Sequence, residues 1–297
     1  CLRRVGGIFT TEKDNAADSG LNSMKLIETK ISVGAAEPFE LLHISDTHLT
    51  LADDRDDERK LKLADERAKS FPHAEEYLAE AEQYAAERDM TIVHTGDLID
   101  FESEANLDRA REFCENNDVF FAAGNHEFSL YVGEAFEDAE YRNQSLSHVQ
   151  ESFTNDIRFD VRKINGVNIV ALDNSYYLFE KYQLEGLKEV AAEGLPMILL
   201  MHNPLYAPDI YEEAMSRGSI AYLVGVPAEL MSGYDDYRLR QQTADDITLE
   251  TIEYIKSEPL IKAIFTGHVH YDFESELTPN LKQYATGIGS ARVISVE

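Results

Sequence analysis

Eight residues of the types that bind divalent cations or move protons fall in five short stretches of this chain. They are Asp46 and His48, Asp97, Asn125 and His126, His202, and His268 and His270. Carboxylate oxygens, imidazoles and one amide, with no thiolate among them, suit borderline to hard divalent ions such as Mn, Fe, Zn or Ni. Eight such residues exceed the needs of one tetrahedral site. They are enough for two ions sharing a carboxylate, about 3.5–4 Å apart. Singly, each has a plainer explanation. A loop Asp after a strand caps the next helix, and a lone His after a strand packs in the core. The weight lies in five stretches, none redundant with another, all at the same kind of place.

That place is the end of a strand. The run Thr91–Asp100, Thr-Ile-Val-His-Thr-Gly-Asp-Leu-Ile-Asp, opens as a buried strand and breaks at Gly96 with Asp97 just beyond. Phe39–Ser45 is a second buried strand, ending in Asp46-Thr47-His48. Val119–Ala123 stops at Gly124-Asn125-His126-Glu127, Pro196–Met201 at His202-Asn203-Pro204, and Ile261–Phe265 shortly before Gly267-His268-Val269-His270. Open α/β sheets place their chemistry at the carboxyl ends of parallel strands. Between these strands the pattern predicts helices over 62–88, interrupted at Pro72, from Asp97 to about Asn117, over 133–157, from about Leu184 to Glu193, and over 244–257. Met24–Ser32 alternates like an edge strand. Ile157–Ile164 and Val167–Leu172 form a hairpin across Asn165-Gly166. Short strands at roughly 272–277, 282–286 and 292–296 close the chain. Residues 205–243 read as irregular and Tyr-rich. With no repeat or low-complexity linker, 1–297 reads as one domain, with a terminal extension and edge strand at 1–37 and an inserted lid at 205–243.

The chain carries 27 basic and 56 acidic residues, a formal charge of −29. Such a surface repels nucleic-acid backbones and anionic membranes, so long DNA or RNA is not an expected partner. A small anionic substrate would need local cations, which bound metal ions can supply. No run of about 18 apolar residues exists to span a membrane, and no secretory pattern is seen. Cys1 and Cys114 cannot build a disulfide framework, so a reducing cytoplasm is the expectation, with a lipid-anchored Cys1 as the alternative. Oligomeric state is not legible.

The ordered series Asp46-x-His48, Gly96-Asp97, Gly124-Asn125-His126-Glu127, His202 and Gly267-His268-x-His270 resembles the calcineurin-like metallophosphoesterase family. It spans residues 46–270. The resemblance implies an α/β (α+β) fold: a two-layer β-sandwich flanked by helices, in αββα order. It also implies a dinuclear centre in which Asp46, His48 and His270 hold one ion, Asn125, His202 and His268 the other, and Asp97 bridges. His126 would assist the leaving oxygen, and a metal-bridging hydroxide would attack phosphorus. The implied activity is hydrolysis of a small phosphomonoester or phosphodiester, nucleotides included. The alternative is a non-catalytic scaffold of the same fold. The His at position 48 argues against a purple-acid-phosphatase iron centre. Ala122-Ala123, where Ser/Thr protein phosphatases have an Arg before the Gly, argues against phosphoprotein substrates. The layout is most similar to the cyclic-nucleotide phosphodiesterase-like branch. Glu127 stands where that branch often has Asp, and is expected to orient a ligand or His126.

Other candidates are assigned structural roles. His43 and His94 lie inside apolar strands and are expected to pack, and His73 and His148 to be solvated. Asp173 and Asn174 read as a turn, Asp100 as a helix cap, and the lid tyrosines as packing rather than as a platform for a nucleobase.

Overall fold

The strands that carry the candidate residues belong to two sheets, in a computed structural model that describes residues 23–133 and 137–297. Across the first sheet lie β1 (Lys25–Ile31), β11 (Ser290–Val296), β2 (Phe39–Ile44), β3 (Thr91–His94) and β4 (Val119–Phe121). β1 pairs parallel with β11, β11 runs antiparallel to β2, and β2, β3 and β4 are mutually parallel. The second sheet runs β5 (Phe159–Ile164), β6 (Val167–Leu172), β7 (Met197–Leu200), β8 (Ile261–Thr266), β10 (Leu281–Ala285) and β9 (Phe273–Thr278). Its four central strands are parallel and its outer pairs antiparallel. β1 is an edge strand, as its alternation predicts.

Apolar residues of both sheets meet face to face. Leu41, Val93, Phe120 and Ile294 pack against Ile169, Ala171, Leu200 and Phe265. The outer face of the first sheet is covered by α2 (Ala74–Ala86), α3 (Glu104–Asn116) and α4 (Ala139–Gln150), through Leu78, Leu107, Phe113 and Val149. That of the second is covered by α5 (Lys181–Ala191) and α8 (Asp246–Ser257), through Leu187, Val190, Ile252 and Ile255. The layers are helix, sheet, sheet, helix, as expected. β6 and β7 are buried along their whole length because both of their faces are covered, and their near-continuous apolar runs follow from that.

Local signals set the boundaries. Asn165 and Gly166 both sit at positive φ, 45° and 78°, as a two-residue hairpin requires. Ser103, not Asp100, caps α3 by accepting a bond from the Asn106 amide. A helix the pattern places later, α1 (Glu58–Arg67), starts inside the charged stretch and is capped by Asp57. The reading of 205–243 as irregular is overturned: it contains α6 (Pro208–Arg217), a short 3₁₀ turn over Ala228–Met231 and α7 (Asp236–Gln242). Pro208 opens α6 at a position where its missing amide hydrogen costs nothing. One turn apart, Ile210 and Ala214 bury against Leu223, Met231 and Tyr234. So short an apolar stripe gives little periodicity to read. Residues 1–22 and 134–136, the latter within the expected 133–157 helix, lie outside the described residues. Among those described, no helix is long and apolar enough to cross a membrane.

Candidate active site

All eight candidate residues lie in the turns that follow their strands, and both sheets contribute. The first sheet supplies Asp46 and His48 after β2, Asp97 after β3, and Asn125 and His126 after β4. The second supplies His202 after β7 and His268 and His270 after β8. The turns are sharp, and five of the eight residues are in the left-handed region: Asp46 at φ 55°, His48 at 54°, Asp97 at 56°, His268 at 68° and His270 at 62°. Each such non-glycine residue costs on the order of 1–3 kcal/mol, held in place by its surroundings, and clusters of them mark functional sites. Glycines permit the close approach. A Cβ on Gly124 would strike the Asp97 carboxylate, and one on Gly267 would strike the side chains of Ser45 and Asp46.

The structure brings the residues to one centre. Ligand atoms of Asp46, His48, Asp97 and His270 lie within 4.8 Å of one another, and so do those of Asp97, His202 and His268. Asp97 belongs to both groups. His202 Nε2 is 3.1 Å from Asp97 Oδ2 and 3.0 Å from His268 Nδ1. His48 Nε2 is 3.2 Å from His270 Nε2 and 3.7 Å from Asp97 Oδ2. Asn125 stands between Gly124 and His126, both of which touch Asp97, and its buried Oδ1 has no hydrogen-bond partner. A buried amide oxygen without a donor calls for an explanation, and a cation provides one.

Three imidazoles of the two groups share one construction: one ring nitrogen is fixed by an outer partner and the other faces the centre. His48 Nδ1 donates to Asp100 Oδ1 at 2.9 Å, while Phe71 stacks on its ring at 4.1 Å. His202 Nδ1 donates to the Thr95 carbonyl at 2.6 Å. His268 Nε2 meets the Tyr177 hydroxyl at 2.7 Å. Fixing one nitrogen sets the tautomer and leaves the other's lone pair for a metal. His126 follows the same rule outside those groups: its Nδ1 donates to the Asp100 carbonyl at 2.7 Å.

Two of these partners correct the sequence reading. Asp100 is no helix cap. It holds His48 and is gripped in turn by Arg67, whose Nε and Nη2 donate at 2.5 and 2.8 Å. Glu127 holds the residue Asp97, as expected of a group that orients a ligand, but through the backbone and not toward the His126 ring. Its carboxylate accepts from the backbone amides of Asp97 (2.8 Å), Leu98 (2.7 Å) and Gly124 (2.7 Å), tying the turn after β3 to the turn after β4. Tyr177 gave no signal in sequence. It is buried, at φ 63°, and reaches His268 from 91 residues away.

His73 and His148, expected to be solvated, are partly buried and paired with Glu76 and Glu102, whereas His43 and His94 pack as expected. His43 bonds to Thr95 and Thr286, His94 to Thr47 and the Gly96 amide, both buried and part of the scaffold. Asp173 pairs with Arg158, and Asn174 clasps Asn203, next to His202, through both side-chain amides. Within residues 205–243, Tyr211 packs on Tyr206 and donates to Leu230, and Tyr234 donates to Ala221. Tyr222 differs: it stands edge-on to His268 at 6.0 Å.

Buried charge governs protonation here. Burial disfavours the Asp46 and Asp97 carboxylates, yet His270 and His202 beside the first, and His202 and His126 beside the second, hold both well below the usual range. Burial lowers His126 and His202, but Asp97 outweighs it, with help from Asp100 at His126, and lifts them to about 10 and about 9. Burial and the charge of Asp97 push Glu127 up to about 7. The centre is a net sink for positive charge, and cations bound there would compete with these protons.

Residues 39–272 match the family model of the calcineurin-like phosphoesterases. No curated protein matches the chain in sequence. Among solved structures it is similar to a dimetal phosphatase from Danio rerio, at 13% identity and TM-score 0.49, over 84% of this chain and 88% of that one. It is also similar to a phosphopantetheinyl hydrolase from Mycobacterium tuberculosis, at 11% identity and TM-score 0.42, over 88% and 90% of the two chains. A putative 5'-nucleotidase from Staphylococcus aureus aligns at 13% identity and TM-score 0.42, over 85% of this chain but only 49% of its own.

Proposed function

Because the chain belongs to the calcineurin-like phosphoesterase family, and is therefore a hydrolytic phosphoesterase, we propose that it cleaves a small phosphate ester, nucleotides included, at a two-metal centre. Asp46, His48 and His270 would hold one ion, Asn125, His202 and His268 the other, with Asp97 shared. The observation that carries this reading is the pair of ligand groups meeting at Asp97, with the outer nitrogens of His48, His202 and His268 already engaged. The donor set of oxygens and imidazoles suits Mn, Fe, Zn or Ni. When bound, such ions neutralise the phosphate oxygens and lower the pKa of a water poised for in-line attack.

The chain's own residues do the rest. Asp100 and Arg67 keep the His48 ring in place, and Glu127 fixes the spacing of the two turns that present Asp97 and Asn125. His126 is held at Nδ1, which leaves Nε2 free to meet the substrate, and its side chain is 18% exposed beside the 39% exposed His270. Those two imidazoles form the mouth of the centre. We assign His126 the donation of a proton from Nε2 to the departing oxygen.

The direct test is hydrolysis of p-nitrophenyl phosphate and bis-p-nitrophenyl phosphate by protein reconstituted with Mn, Fe, Zn or Ni. Turnover of at least one, abolished by chelation and restored by metal, is expected. Preference for the diester would make the protein a phosphodiesterase, preference for the monoester a phosphatase. Absence of turnover on both with two ions bound would overturn the proposal. A second expectation concerns Tyr177. Removing its hydroxyl in Tyr177→Phe should weaken one ion by about 10-fold or more, the usual cost of losing an outer partner of a metal-bound imidazole. Chelator competition reads this directly, and equal affinity of both sites in variant and wild type would remove Tyr177 from the scheme.

A further inference from the structure

The chain has about twice as many acidic residues as basic ones, 56 against 27, so a cation without a carboxylate near the centre stands out. Three basic residues between β2 and β3 are committed: Arg67 to Asp100, Lys60 to Glu102, and Arg55 to Asp53 and Asp108. Arg238, on helix α7, is not. Its guanidinium lies against the rings of Tyr222 and Tyr237, at 4.9 and 5.0 Å from their centroids, and its Nη1 donates to Gln241 Oε1 at 2.5 Å. Among the described residues it makes no ion pair. Gln241 also donates its amide to Glu137 Oε2 at 2.8 Å, so a hydrogen-bond relay joins Arg238 to that carboxylate. Burial also disfavours the charge on Glu137.

Its position relates it to the centre. Tyr222, in contact with Arg238, stands 6.0 Å from the His268 ring. A guanidinium set over two aromatic rings, half-buried and with donors to spare, can take a planar or tetrahedral oxyanion through paired hydrogen bonds.

We propose that Arg238 binds a second anionic group of the substrate, beyond the ester that is cleaved, and so selects phosphoesters that also carry a phosphate or a carboxylate. The proposal rests on the metal centre described above: the two ions would take the reacting phosphate and Arg238 the distal charge. Tyr222 and Tyr237 flank the fork, and Gln241 takes one of its donors.

The test is calorimetric binding of non-hydrolysable phosphonates to the Mn-loaded full chain, which does not depend on turnover. Three series of increasing chain length are compared: alkylphosphonates, ω-carboxyalkylphosphonates and ω-phosphonoalkylphosphonates. At the length that spans the two subsites, a charged end should tighten binding about tenfold or more over the alkyl parent, the worth of a charge-assisted hydrogen bond. The carboxylate and phosphonate series show which anion is preferred. In Arg238→Gln that ratio should fall to about one, and in Arg238→Lys, which keeps the charge and loses the fork, to an intermediate value. A gain that persists in Arg238→Gln, or no gain at any length in the wild type while the alkylphosphonates bind, would overturn the role of Arg238 alone. Should Arg238→Gln not fold, an unchanged ratio in Arg238→Lys would argue against the fork. Failure of every phosphonate to bind would overturn the metal-centre reading and this proposal with it.

Discussion

Asp97→Asn is expected to leave the purified protein with neither ion bound after dialysis and with no measurable turnover. Asp97 is the one residue common to both ligand groups, and it is buried with His202 Nε2 3.1 Å from its Oδ2. An amide offers one acceptor oxygen and no charge where the carboxylate offers two and a full negative charge, so both positions lose their shared anion. Losing an outer partner weakens a metal by about 10–100-fold, and losing a direct, bridging charge should exceed the upper end of that range for both. The Asp97 backbone is already tied down by Glu127, and Asp97 Oδ1 accepts from the His126 amide at 2.9 Å, a bond asparagine can keep. Elemental analysis and a thermal melt of the metal-free proteins therefore separate metal loss from unfolding. Two tightly bound ions and wild-type turnover in this variant would rule out the bridge.

His126→Ala has a different signature. Both ions should remain, since His126 belongs to neither group around Asp97, while kcat falls by about 10²–10⁴, the usual share of general acid catalysis. The loss should grow as the leaving group worsens, because an alkoxide needs the proton that p-nitrophenolate can do without. A series of esters spanning leaving-group basicity, with metal content measured on each sample, reads both effects. Metal loss with an unchanged rate per bound ion would make His126 a ligand. A uniform loss across the series would leave it only a binding role.

The parts of this site that sequence revealed are those with a local signature. Each of the eight candidates follows an apolar run and a break, and the physics of a buried strand writes both into neighbouring residues. What surrounds them has no such signature. Asp100 meets His48 across 52 residues of chain, Tyr177 meets His268 across 91, and Glu127 spends its carboxylate on amides 28 to 30 positions back. An acid near a motif reads as a cap or an orienting group; only the fold shows which backbone it faces. The left-handed turns at Asp46, His48, Asp97, His268 and His270 were nearly as hidden, since the enrichment of Asp and His at positive φ is too weak to place a turn. The αββα layers could be anticipated, because strands covered on both faces must be apolar throughout. The helices within 205–243 could not, because α7 has only seven residues and α6 shows two buried positions.

The strand order of the first sheet also constrains when this protein can become active during synthesis. β11, residues Ser290–Val296, lies between β1 and β2, so a strand made after all eight candidate residues fills an interior place in the sheet. Until it arrives, β2 has no neighbour on that side, and Asp46 and His48 project from a strand supported only by β3. Pairings across more than two hundred residues form late, because the entropy of closing so long a loop precedes any reward from the contact. A nascent chain can thus hold its second sheet while the strand that carries Asp46 and His48 still lacks one neighbour, and metal capture by those residues would wait for β11.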